Sequence, residues 1–106
     1  MNSVEKAFLE TKIIETLETC YDPEIPVNIV ELGLVYRIDV NDYGDVEIQM
    51  TLTTPHCPVA TSLPGEVHSK VSAIQGVKSV KVDVVWEPPW DPAKISDSAK
   101  LTLGML

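Results

Sequence analysis

The chain has 106 residues, of which 44% are hydrophobic and 23% charged. This composition is typical of one globular domain and not of a disordered or fibrous protein. Sixteen acidic residues against eight basic ones give a net charge of −8, and the basic residues form no cluster. Binding to nucleic acid or to an anionic membrane depends on positive charge. We therefore expect neither as a partner, and a protein or metal partner is favoured.

Two further features of the sequence indicate the cellular compartment of the protein. No apolar run approaches the roughly 20 residues that cross a bilayer, and the first residues lack the apolar core of a signal peptide. The two cysteines, Cys20 and Cys57, are too few for a disulfide framework and do not form a Cys-x-x-Cys pair. These observations predict a cytoplasmic protein in a reducing environment.

The N-terminal segment predicts an amphipathic helix. Apolar residues recur at helical spacing from Ser3 to about Cys20, with charged residues between them. The helix should end near Asp22, because a proline at position 23 disfavours helical geometry in the residue before it. We expect the following segment, YDPEIPVNIVELG, to be a structured connection with one short helical turn around Ile29 to Leu32.

The middle of the chain predicts a β-hairpin. Apolar and polar residues alternate from Leu34 to Val40 and again from Val46 to Thr53, which is the period of a half-buried strand. The intervening NDYGD has turn composition, and Gly44 can adopt a positive φ. The two strands are therefore expected to pair antiparallel.

The C-terminal half predicts a helix, a strand and a short final helix. Apolar residues from Val59 to Ile74 have helical spacing, although Pro64-Gly65 should kink this helix or divide it into two pieces. A third strand is expected from Val80 to Trp86, and a short helix from about Ser96 to Leu103 with Ser96 as its N-cap.

The order of these elements predicts the fold class. The order α-β-β-α-β plus a short C-terminal helix indicates a single α+β domain over residues 1–106, with two layers: a small mixed three-stranded sheet and helices on one of its faces. A helical crossover between the second and third strands would make them parallel.

Cys57 is the candidate functional thiol. It lies in TLTTPHCPVATSL, where a strand is expected to end and a helix to begin, with Pro58 as first helical residue. A helix N-terminus stabilises a thiolate, which is a good nucleophile and a soft-metal ligand, and His56 could add a ligand or accept a proton. The alternative is that Cys57 is a small buried hydrophobe. The sequence pattern supports both interpretations equally.

The remaining candidate residues have a structural alternative that is at least as strong. Cys20 lies on the apolar stripe of the first helix and is assigned to the core, and His68 to the surface or its boundary. Asp22 and Glu24 could shape a turn or supply oxygen atoms beside Cys57. Trp86 and Trp90 in WEPPW could form a platform for a partner if exposed or a lid over the core if buried, and the lid is favoured.

Four motifs in order, DPEIPVNIVELGLVY, MTLTTPHCP, QGVKSVKVDVVWEPPW and ISDSAKLTLGM, resemble the metal-sulfur cluster biosynthesis family. This family includes SufT-type maturation factors, PaaD-like proteins and eukaryotic cytosolic iron–sulfur targeting factors. The resemblance covers nearly the whole chain and implies a fold related to iron–sulfur cluster assembly domains. It also implies an auxiliary role in iron–sulfur protein maturation.

The resemblance assigns roles to particular residues. The family's motif cysteine corresponds to Cys57, and its Asp-Pro-Glu motif to Asp22–Glu24. Thr53 and Thr54 correspond to the polar residues before that cysteine, and Trp86 to Trp90 to its aromatic and proline-rich segment. The cysteine-rich C-terminal extension of PaaD-like members is missing, which disfavours a role in phenylacetate metabolism. There is no P-loop motif, so any ATP-dependent step requires a separate P-loop ATPase.

The leading hypothesis is therefore a non-enzymatic adaptor or transient carrier of an iron–sulfur cluster or iron, which acts through Cys57 on assembly proteins and client apoproteins. Common clusters need four protein ligands, mostly thiolates, and this chain offers one. Either two chains share a cluster as a homodimer, or other ligands complete it, or a client or partner does. The alternative hypothesis is a thiol enzyme or redox protein with Cys57 as its nucleophile.

Overall fold

The computed structural model describes residues 2–22, 25–52 and 63–104. Helix α1, Ser3–Leu17, begins at Asn2, whose side-chain oxygen accepts a hydrogen bond of 2.8 Å from the N–H of Glu5. The predicted helix extended to about Cys20, which is wrong by three residues. The Thr19 hydroxyl donates a hydrogen bond to the carbonyl of Thr16, and the α-helix has ended at Leu17.

Strands β1, Val35–Val40, and β2, Asp45–Met50, form the predicted antiparallel hairpin. The side chain of Asn41 shapes the turn by accepting hydrogen bonds from the N–H groups of Tyr43 and Asp45. Gly44 has a φ of +85°, and a Cβ there would lie 2.6 Å from a backbone oxygen, so this position requires glycine. The register shifts between Val35 and Arg37, which interrupts the regular pairing of β1.

Helix α2, Leu63–Ser72, connects β2 to strand β3, Ser79–Val84, which pairs parallel with β2. The sheet order is β1-β2-β3, so the predicted α+β class with a small mixed three-stranded sheet is confirmed. The expected kink at Pro64-Gly65 is absent from the described part of this helix. Pro64 lies in the first turn, where a backbone N–H has no helical partner to lose.

After β3, residues 85–96 form an irregular segment that we call the C-terminal strap. It includes a one-turn 3₁₀ helix, Pro92–Lys94, which the sequence did not predict. Helix α3, Asp97–Thr102, closes the described chain. Its N-cap is Ser96, as predicted, with the hydroxyl oxygen 3.2 Å from the N–H of Ala99.

One hydrophobic core includes buried side chains from all three α-helices, from β1 and β2, and from the connection after α1. Its fully enclosed members are Ile13, Leu17, Cys20, Ile29, Leu32, Leu34, Ile48, Met50, Val67 and Val71. Among the described helices, none is long and apolar enough to span a membrane.

Candidate functional site

The predicted thiol site lies on a connection whose two ends are fixed by the fold. Thr53, Thr54, His56 and Cys57, and likewise Glu24 in the earlier loop, lie outside the described residues. β2 ends at Met50, and α2 begins at the buried residue Leu63. The segment that contains Cys57 therefore joins the C-terminal end of the central strand to helix α2. The prediction that the helix begins at Pro58, directly after Cys57, falls outside the described residues.

Thr51 is a feature near this segment that the sequence did not single out. Its N–H donates to the carbonyl of Leu34 at 2.8 Å, and its side chain is completely buried. The hydroxyl oxygen has no hydrogen-bond partner within the part of the chain that the structure describes. A buried hydroxyl without a partner is energetically costly. Threonine is common in strands, so the sequence pattern carried no signal for this one.

Asp22 is almost completely buried in the connection that follows α1. One carboxylate oxygen accepts a hydrogen bond of 3.0 Å from the N–H of Ile25, and a bridge between Tyr21 and Asn28 closes the base of the loop. Asp22 therefore stabilises this turn, which is the structural role that the sequence allowed for it. A role beside Cys57 remains a prediction.

Cys20 has no exposed surface, which confirms its predicted place in the core. Burial raises the pKa of its thiol, and the negative charge of Glu66 raises it further, while the positive charge of Lys70 opposes these effects. Lys70 contacts Glu66 at 3.1 Å and donates to the carbonyl of Thr19 at 3.0 Å, so α2 packs over this end of α1. Because its thiolate form is disfavoured, Cys20 is a poor nucleophile or metal ligand.

The two tryptophans have different environments. The indole N–H of Trp90 donates to the carbonyl of Leu32 at 2.7 Å, and the ring packs against the core, so Trp90 is part of a lid. Trp86 is 44% exposed. Trp86 is thus the more exposed of the two tryptophans, and its function as a partner surface remains a prediction.

Other contacts attach the C-terminal strap to β1 and the turn before it. The Tyr36 hydroxyl donates to the carbonyl of Pro88 at 2.7 Å and accepts from the ammonium of Lys94 at 2.8 Å. Gly33, with a φ of +77°, passes so close to the strap that a Cβ would lie 2.7 Å from the carbonyl oxygen of Lys94. The strap is therefore fixed along its length.

The described residues do not form a metal site by themselves. Within residues 2–22, 25–52 and 63–104, no three side chains of His, Cys, Asp or Glu converge as a set of ligands. His68 is exposed on α2, in agreement with its predicted surface place.

Residues 10–84 match the sequence profile of a family described as iron-sulfur cluster assembly protein. The chain belongs to this family. An "Fe-S protein maturation auxiliary factor" of Porphyromonas gingivalis is 48% identical over 101 residues, covering 93% of this chain and 96% of the relative. A protein of Bacillus subtilis with the same description, YitW, is 42% identical over 97 residues, covering 92% and 95%.

A solved structure supports the same assignment. A crystal structure of a domain of unknown function from Bacillus anthracis has a TM-score of 0.90 and 36% identity, and the match covers 99% of this chain and 100% of that one. More distantly, an "iron-sulfur cluster carrier protein" of Deinococcus radiodurans is 32% identical over 72 residues, covering 67% of this chain and 20% of that protein. The predicted family and its role in iron–sulfur protein maturation are confirmed.

Proposed function

We propose that this auxiliary factor of iron–sulfur protein maturation is an adaptor or transient carrier that presents a cluster or iron to client apoproteins through Cys57. The observation that carries the proposal is the enclosure of Cys20. With no exposed surface and a raised pKa, Cys20 is unsuitable as a ligand, which leaves Cys57 as the single candidate thiolate. The relatives named as maturation auxiliary factors support a role without turnover of its own.

The number of ligands favours transient binding. Iron–sulfur clusters are generally held by four protein ligands, most of them thiolates. The described residues offer no ligand set, so Cys57 would need help from His56 or Glu24, from a second chain or from a client. A carrier with few ligands of its own releases a cluster readily, because the recipient's cysteines can replace the carrier's ligands.

The proposed partner surface lies at the end of the sheet where the Cys57 segment begins. β2 and β3 are parallel, with Met50 opposite Val84, and the N–H of Val85 donates to the carbonyl of Met50 at 2.8 Å. Trp86 therefore follows β3 at the same level at which the Cys57 segment follows β2. An exposed aromatic ring at that position favours a protein contact. Trp90 would support this surface by anchoring the strap.

The partners that this proposal requires are iron–sulfur assembly proteins as donors and apoproteins as recipients. The match to a 20% share of a larger carrier protein supports a domain that works alongside other units. We propose that any ATP-dependent step is performed by a separate P-loop ATPase, since the chain has no such motif.

Anaerobic reconstitution with iron and sulfide tests the proposal on the wild-type chain, Cys57→Ala and the matched control Cys20→Ala. Bound iron, visible absorbance and transfer of a cluster to an apo-ferredoxin are measured, and gel filtration records the size of the coloured species. We expect Cys57→Ala to abolish all of these signals and Cys20→Ala to retain them. A stable cluster on Cys57→Ala would overturn the assignment. Failure of the wild type to bind iron or transfer a cluster would overturn the carrier function.

A further inference from the structure

Strand β3 forms one edge of the sheet, and its outward backbone groups can be identified. The N–H of Thr51 donates to Leu34 and that of Asn41 donates to Asp45, so the odd-numbered residues of β2 bond β1. The even-numbered residues of β2 consequently bond β3, as the bond from Val85 N–H to the Met50 carbonyl shows. Since backbone groups alternate along a strand, those of Val80, Val82 and Val84 point away from the sheet.

These outward groups form a regular edge that has no strand partner among the described residues. Within the described residues, no backbone group outside β2 bonds β3. The pairing of β2 with β3 has no register shift over its six residue pairs. The valines are half-buried on the core side, while Lys81 and Asp83 alternate with them. An edge of this kind is a template for another strand.

We infer that the occupant of this edge is β3 of a second copy of the chain, paired antiparallel about a two-fold axis at Val82. In an antiparallel pair of this kind, residues whose backbone groups point outward must lie opposite each other in the two copies. The two-fold axis must therefore pass through a residue of β3 and not between two residues. A centre at Val82 places Lys81 of each copy opposite Asp83 of the other. A centre at Lys81 would place two lysines opposite each other, and a centre at Asp83 two aspartates.

The charges favour the register centred on Val82. In this register, Lys81 of one copy lies opposite Asp83 of the other in a non-hydrogen-bonded pair, in which side chains are closest. Opposite charges at such a pair are stabilising. Within one chain the ammonium of Lys81 is 3.8 Å from the carboxylate of Asp83. The Lys81 side chain is 70% exposed, so it is free to turn toward a second copy.

The opposite edge of the sheet has a similar charge pattern but a different geometry. In β1, Arg37 and Asp39 flank Ile38, and their nitrogen and oxygen atoms are 2.5 Å apart, so these charges are already paired tightly. The register shift between Val35 and Arg37 also interrupts this strand. Irregularities of this kind protect an edge from pairing. The dimer is therefore assigned to β3, and β1 supplies an internal control.

This dimer would place the starting points of the two Cys57 segments far apart. Each segment begins after Leu52, beyond the C-terminal end of β2, and the two-fold axis at Val82 sends these ends in opposite directions. Their starting points would be separated by about 25 Å along the strands. The interface thus needs neither metal nor Cys57, and this inference does not rest on the proposed function.

Sedimentation velocity of the metal-free full chain over a concentration series tests the inference. We expect a monomer–dimer equilibrium, equally present in Cys57→Ala. Asp83→Lys and Lys81→Asp should each weaken the dimer about tenfold or more, because two symmetry-related attractive pairs become repulsive. An equimolar mixture of these two variants should dimerise again, since each variant then faces the opposite charge.

Asp39→Lys on β1 is the matched control and should leave the dimer unchanged. Circular dichroism of every variant checks that the fold is retained. A wild-type chain that stays monomeric at all soluble concentrations would overturn the inference. A dimer that is insensitive to Asp83→Lys, or one that Asp39→Lys disrupts instead, would also overturn it.

Discussion

The two cysteine-containing connections of this small chain occupy different places in the fold. The connection at Cys20 is held by the core, by the hydrogen bond from Ile29 N–H to the Cys20 carbonyl at 2.9 Å, and by Lys70 above it. The connection at Cys57 joins β2 to α2 and begins near the buried hydroxyl of Thr51, which has no hydrogen-bond partner among the described residues. Burial in the core therefore makes Cys20 unsuitable for thiol chemistry, while the availability of Cys57 remains a prediction.

Thiol labelling tests this comparison most strongly. We expect iodoacetamide to modify Cys57 about a thousandfold faster than Cys20, because a fully buried thiol reacts only when the structure opens locally. Peptide mapping at several times after mixing gives both rates, and the chain unfolded in denaturant is the control in which they should converge. If Cys20 is modified first, the assignment of core and functional thiols is reversed.

The two tryptophans also differ in exposure, since Trp90 packs against the core and Trp86 is exposed. Trp90→Ala should lower the free energy of unfolding by about 3 kcal/mol, because it removes core contacts and leaves the Leu32 carbonyl without its donor. Trp86→Ala is the matched control and should change stability by less than about 0.5 kcal/mol. Urea denaturation measures both changes, and equal effects would contradict the distinction between lid and surface.

The smallest expected effect is a pH dependence of stability. Because the folded pKa of Cys20 is raised above its ordinary value of 9.0, the fold favours the neutral thiol. The resulting stabilisation is fully present below about pH 9 and is lost as the pH rises from there through the folded pKa. Thermal unfolding between pH 8 and pH 10 should therefore show a decline in wild type that is smaller in Cys20→Ala. Cys57→Ala should retain the full decline.

Much of the fold follows from sequence pattern because each element carries a strong local signal. Alternation between Leu34 and Met50 and the turn at Gly44 predicted the hairpin, and Ser96 predicted the start of α3. The end of α1 was placed too late because Cys20 continues the apolar stripe. In the structure the N–H groups of Thr19 and Cys20 bond carbonyls three residues back, those of Thr16 and Leu17, and the α-helical pattern ends there.

Features that depend on contacts distant in sequence were less predictable. The hydrogen bond from Trp90 to Leu32 joins residues 58 positions apart, for which local periodicity carries no information. Trp86 and Trp90 flank the same Glu-Pro-Pro segment in WEPPW, and their different exposure comes from tertiary packing. For the candidate site, the sequence identified Cys20 as a core residue. The buried hydroxyl of Thr51, which lacks a partner within the described part of the chain, could be recognised only from the structure.

The attachment of the C-terminal strap has a consequence for how the protein is made. The residues that anchor it, Glu31, Leu32 and Tyr36, are synthesised well before their partners Ser96, Trp90 and Lys94. Since chains fold from the N-terminus as they emerge, the sheet can form before its cover is available. The nascent chain therefore passes through a stage in which the carbonyl of Leu32 has not yet received its hydrogen bond from Trp90.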